Sequence, residues 1–216
     1  MPLRFEELAR HAEPSLDELA LALAAEFREV DAERALARLD ALAAEVGREP
    51  AGSPRAQVAA LARVLGVRHG FAGDRDEYDH PDNSMLDVVL ERRRGLPILL
   101  AAVWVEVARR AGFRLVGVGL PGHYVAGHFG AEPPLLVDPF AAGAVVEHVV
   151  ARELVRPWNV HETALRMLNN LVASYLSRHD LARAIRAAEL RLALPLREED
   201  AAALETQLRG LRARLN

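Results

Sequence analysis

Cysteine and lysine are both absent from the 216-residue chain. Without cysteine there are no disulfides, no thiolate metal ligands and no thiol nucleophile, and the redox compartment leaves no trace. Without lysine, all 27 Lys/Arg residues are arginine, against 31 acidic residues, for a net charge of −4. That balance gives no reason to look for nucleic acid or an anionic membrane as a partner. No uncharged apolar run approaches the roughly 20 residues needed to cross a bilayer. The charged, amphipathic start "MPLRFEELARHAEP" lacks the apolar region of a signal peptide. These absences point to a cytoplasmic location. Aromatics are scarce at 5%, but 51% hydrophobic residues suffice for one large domain or a domain with a small appendage.

What is present reads as helices, then strands, then helices. Ser15 with Glu18 gives a capping-box pattern ahead of "LALAAEF". "DAERALARLDALAAEVG" sets Leu36, Leu39, Leu42 and Val46 at helical spacing and stops at Gly47. Ser53-Pro54 reads as an N-cap and first helical position, opening a helix predicted to run to Gly70. "FAGDRDEYDHPDN" is a polar loop, and Ser84 with Asp87 predicts a further N-cap. After Gly112 come "RLVGVGLP", "HYVAGHFG", "PLLVDPF" and "AVVEHVV", short and rich in β-branched residues. Neighbours this close in sequence favour an antiparallel meander. Past Pro157 the chain is helical again, broken at "ALPLREED". The fold class is α+β, with N-terminal helices, a small antiparallel sheet and a C-terminal helical hairpin.

The chemistry gathers where helix gives way to sheet. His123 opens one predicted strand and Asp138 closes the next, so antiparallel pairing brings an imidazole to a carboxylate. A carboxylate on one ring nitrogen fixes the tautomer and makes the other nitrogen a better base. "ERRRGLP" stops one helix and starts another at Pro97, whose N-terminal dipole favours a thiolate or oxyanion if it faces that pair.

"NSMLDVVLERRRGLPILLAAVWVEVARRAG", "GVGLPGHYVAGH" and "LLVDPF", in this order, resemble the SirB family, a branch of the transglutaminase-like superfamily. The resemblance covers roughly residues 10 to 190. It implies a transglutaminase-like (papain-like) core over residues 1–156, helical over 1–112 and sheet over 113–150. It also implies a tetratricopeptide-like tail over 157–216, with Leu171, Tyr175, Ala182 and Ala187 packing one helix on the other. One repeat cannot bury its own apolar face, so the tail should dock on the main domain with the last helix as a cap. In active members of the superfamily the turn reads glycine, one residue, then the nucleophilic cysteine. Here Gly95 matches the glycine, Pro97 falls on the cysteine, and His123 and Asp138 match the histidine and aspartate. The missing nucleophile, the intact His123/Asp138 pair and the repeat-like tail point to a degenerate triad in a non-catalytic scaffold that binds a protein or peptide. No cofactor is expected, and the expected state is a monomer or weak homodimer. Two alternatives stand beside it: an amide hydrolase using water, or Ser84, activated by His123, and a helical adaptor with a purely structural sheet domain.

Each feature also has a plainer reading. His123 and Asp138 serve equally as a hydrogen bond pinning two strands. Arg92, Arg93 and Arg94 compensate a helix dipole; the alternative makes them, with Gly95, His123 and Asp138, an anion- or partner-binding patch. "DRDEYDHPDN" fails as a calcium loop, because Tyr78 and Met85 stand where oxygen ligands belong and Asp79 where glycine belongs. His123 and His128, five apart on a strand, face opposite sides and share no metal. Trp104 reads as core, and Trp158 as packing between sheet and tail.

Overall fold

The structure is a computed structural model, and it describes residues 4–147 and 152–215. The N-terminal part comprises α1 (Phe5–Leu8), α2 (Leu16–Ala25), α3 (Ala32–Val46) and α4 (Pro54–Leu61). Local signals account for most of their ends. Ser53 accepts from Ala56 N at 3.2 Å with Pro54 behind it, and Gly47 follows α3. Ser15 is the N-cap of α2 by position, but its hydroxyl donates to Asp17 and caps no backbone amide. The α-helix opened by Pro54 stops short of Gly70: it widens to a π-helix over Ala62–Arg68. There Gly66 abuts the Ala142 carbonyl, where an added Cβ would lie 2.1 Å from the oxygen.

β1 (Ala72–Gly73) pairs in parallel with β2 (Arg94–Gly95), on either side of α5 (Leu86–Arg92). Met85, not Ser84, is the N-cap of α5; Ser84 is buried with its hydroxyl unpartnered, and Asp87 reaches Arg28 instead. Arg93 ends the helix in a left-handed conformation, φ 58°. Then comes α6 (Pro97–Arg110), with proline at its first position and eleven of fourteen residues buried, Trp104 among them.

β3 (Val116–Leu120), β4 (His123–His128), β5 (Leu135–Asp138) and β6 (Ala144–Val145) form an antiparallel meander in sequence order, and residues 148–150 of the predicted fourth segment lie outside the described residues. α6 packs against β4. Gly119 is required where it stands, because the Trp158 ring lies where its Cβ would be. α7 (Val160–Ser177) and α8 (Leu181–Arg191) form a hairpin turning at His179, φ 60°, and α9 (Glu198–Arg212) follows. Leu171, Tyr175 and Ala187 are buried, but Ala182 is exposed; Ala184, two residues on and across the helix, is buried instead. A single apolar cluster runs from Phe5 through α6 to Leu194, so the hairpin shares the main core. α9 adds Leu208, against Ile185 and Ala188. No helix among the described residues is long and apolar enough to cross a membrane.

The C-terminal end of α6 is held by charge. Arg110 donates to Asp17 on α2, to Asp40 on α3 at 2.7 Å and to Glu106 at 2.6 Å. Asp17 and Glu106 are buried, 1% and 2% exposed. Burial pushes the Asp17 carboxyl up, but Ser15 and Arg110 outweigh it and bring it below its ordinary value. Glu106 goes the other way, raised by burial and the nearby Asp17 charge. Removing the guanidinium leaves two buried carboxylates with only Arg109 to answer them. Arg110→Ala is therefore expected to cost about 3 kcal/mol, read as a lower urea midpoint at unchanged slope.

Candidate functional site

His123 starts β4 directly after the Pro121-Gly122 turn, with Gly122 at φ 70°, opposite Leu120 in register. Asp138 ends β5 and is the N-cap of the 3-10 turn Pro139–Ala141. Its Oδ1 accepts from Phe140 N at 2.9 Å, and His123 Nε2 lies 2.9 Å from its Oδ2. Burial pushes the Asp138 carboxyl up, but the His123 hydrogen bond and charge and the Phe140 and Ala141 amides outweigh it and hold it below its ordinary value. An ionised carboxylate only accepts, so Nε2 carries the proton and Nδ1 is the free ring nitrogen. The His123 side chain is 34% exposed and that of Asp138 18%. The couple is thus partly open to solvent.

Phe140 ties this couple to the start of α6. Its ring stands edge-on to His123, with centroids 6.3 Å apart, and covers Gly73, where an added Cβ would meet ring carbons at 2.3 Å. Gly73 pairs with Gly95, and the next residue, Leu96, donates its amide to Asn83 O at 3.0 Å. Gly95 is itself a close approach: a Cβ there would lie 2.6 Å from Val89. Pro97 follows, buried, with no nucleophilic atom. The helix start and the couple are therefore linked by continuous contacts through Phe140.

The three arginines face this frame differently. Arg92 Nη2 pairs with Asp74 at 3.1 Å. Arg93 donates to His69 O at 3.3 Å, and Arg94 donates to Gly70 O at 2.5 Å. All three are exposed, and all three stitch the 69–74 segment to the turn before α6. His128 is buried and bonds Gln57 at 2.8 Å, away from His123.

The loop after β1 is a braced structure. Buried Asp74 accepts from the amides of Asp76 (3.2 Å) and Glu77 (3.0 Å), and the buried Asn83 side chain donates to Glu77 O (2.7 Å) and Tyr78 O (3.3 Å). Ser174 of α7 donates to Asp79 O. This bracing holds Tyr78, 44% exposed, edge-on to Phe140 at 5.9 Å, while Arg75 lies over the Phe140 ring at 5.6 Å. On the other flank, Tyr124 OH bonds Thr163 Oγ1 at 2.8 Å, and Arg166 of α7 reaches Leu120 O at 3.2 Å.

Sequence reasoning meets Tyr78 only as a misfit in a calcium loop and names neither Phe140 nor Arg166. Phe140 was within reach, as the residue closing "DPF"; Tyr78 stands among charged residues in a polar loop; Arg166 carries no local signal among 27 arginines. Two clefts lie elsewhere. One of about 380 Å³ runs between Phe27, the Pro81 turn and Tyr175. One of about 830 Å³ runs between the end of α6, β3 and the start of α7. Pro97, His123 and Asp138 line neither.

Asp138 dictates a pH signature. Its folded-state carboxyl lies below the unfolded one, so its contribution is full above the unfolded value of 3.8 and fades as pH falls through the lower folded one. Asp138→Asn should cost about 2 kcal/mol near neutral pH. That gap, read from urea unfolding, should shrink as pH drops below about 4.

A family model for the transglutaminase-like superfamily matches residues 33–186. A UPF0162 protein of Xylella fastidiosa is 44% identical over 101 residues, 47% of this chain and 36% of that protein. A UPF0162 protein of Vibrio cholerae is 31% identical over 102 residues, 47% of this chain and 38% of that protein. The mouse F-box only protein 21 is 31% identical over 132 residues, 53% of this chain but 21% of its own length. The chain thus spans little more than a third of the UPF0162 relatives it matches. No solved structure matches it. With the family model covering well over half of its residues, the chain belongs to the transglutaminase-like superfamily.

Proposed function

We propose that this is a SirB-type, non-catalytic member of its superfamily, whose His123 face binds a protein or peptide partner. Position 97 carries the reading: a buried proline occupies the helix start where the superfamily places its nucleophile, and the chain has no cysteine to replace it. The His123–Asp138 couple is still built and still half-open, with a free imidazole nitrogen to meet a backbone amide or carbonyl. Tyr78 and Phe140 add an aromatic shelf of the kind that anchors recognition surfaces. Arg75, Arg93 and Arg94, all exposed, supply a basic rim. Ser84, 1% exposed, is sealed away from any substrate.

The test has two arms. Peptides selected from a displayed random library should bind the wild type, and lose about tenfold or more in affinity with His123→Ala or Tyr78→Ala. Glutaminyl and simple amide substrates should turn over no faster than in buffer. Hydrolysis or amide exchange that disappears with His123→Ala would mean the couple activates water and the chain is an enzyme.

A further inference from the structure

Among the described residues, Arg191 of α8 is the only buried arginine, 4% exposed. Its Nη1 donates to Asn169 Oδ1 on α7 at 3.0 Å and to Gln207 Oε1 on α9 at 3.2 Å. Both acceptors are neutral amides. The three N–H groups on Nε and Nη2 are sealed from solvent and meet no acceptor among the described residues. Burying a guanidinium is costly unless a carboxylate answers it. Here burial acts alone and holds the group below its ordinary value.

The helix that reaches Arg191 from outside is lightly held. Of the fifteen residues of α9 only Leu208 is buried. Leu208, Ile185 and Ala188 form a small cluster of their own, apart from the main core. Beside Leu208 an open groove of about 690 Å³ runs between α8 and α9, bordered by Glu189, Leu192 and Glu205. Arg212 of α9 pairs with Glu189 of α8 at 2.8 Å, but both side chains are solvated and such pairs contribute little. Lifting α9 opens the small cluster and Arg191 while the main core stays shut.

We propose that α9 is a displaceable cover, and that an amphipathic helix of a partner protein takes its place with a glutamate where α9 has Gln207. This docking surface goes beyond the His123 face and does not depend on it. Gln207 and Leu208 are adjacent, so the incoming helix sets a leucine on Ile185 and Ala188 and an acidic residue on Arg191. Glutamate has the length of glutamine. It replaces the amide NH2, for which a guanidinium has no acceptor, with a second acceptor oxygen. The carboxylate then meets Nη1 and Nη2 together, a forked contact that neutral amides do not supply. α9 holds the surface by its tether, and the partner helix by charge complementarity.

Two fluorescent peptides test this on the full chain: residues 196–213 in their native sequence, and the same peptide with Gln207→Glu. Anisotropy should show the glutamate peptide binding saturably and the native one about tenfold or more weakly. Leu208→Ala in the chain loosens the tethered helix and should tighten binding of both. Arg191→Met should erase the difference between the peptides. If that variant does not fold, Arg191→Lys, which keeps the charge but loses the fork, should narrow it. Gln207→Glu in the chain itself should raise the urea midpoint and exclude both peptides. Equal binding of the two peptides, a preference that survives Arg191→Met, or a midpoint lowered by Gln207→Glu overturns the glutamate assignment. No binding of either peptide to the Leu208→Ala chain overturns the displaceable cover. Sedimentation that shows wild-type dimers, dissolved by the native peptide, assigns the surface to a second copy's α9 and overturns the foreign partner.

Discussion

One guanidinium fixes the axis on which the site is built. Arg110 draws carboxylates from α2, α3 and its own helix to the far end of α6. Buried charges of this kind cost more when one is left unpaired than they return together, so the clasp acts as a lock on orientation more than as a source of stability. At the near end, the Gly73–Gly95 pairing and the Leu96–Asn83 hydrogen bond set where the helix begins. Between the two ends, α6 is apolar on nearly every side and cannot slide without exposing Trp104 or its neighbours.

Asp138 serves two masters: one oxygen caps the turn that carries Phe140, and the other orients His123. A carboxylate in that position is needed for the backbone whether or not the imidazole ever moves a proton. This double duty gives the couple a structural reason that does not depend on catalysis. Proline at the first helical position asks for no hydrogen bond there and preserves the turn.

Much of this was legible because it is local. Glycine and proline punctuation separates four β-branched segments, and short links between them leave an antiparallel meander as the simplest pairing; His123 and Asp138 meet as a consequence. The apolar run after Pro97 likewise announces a buried helix. What escaped depends on partners distant in sequence. The π-helix at Ala62–Arg68 lies where Gly66 presses on Ala142, nearly eighty positions away. Ser15 turns to Asp17, itself drawn to Arg110. The β1–β2 bridge is two residues long, too short for any periodicity to register. Tyr78 gains its place from Asn83 and Ser174 bracing the loop, and Arg166 from two rings on other elements.

The sheet ends on β3, whose outer side would otherwise offer unpaired backbone groups to any passing strand. Trp158 closes part of that side: its amide donates to Gly117 O at 2.9 Å while its indole fills the space above Gly119. The helical tail thus begins by sealing a sheet margin, before it packs anything else. A chain ended ahead of Trp158 would leave that margin bare, and self-association through it is the failure that such a truncation invites.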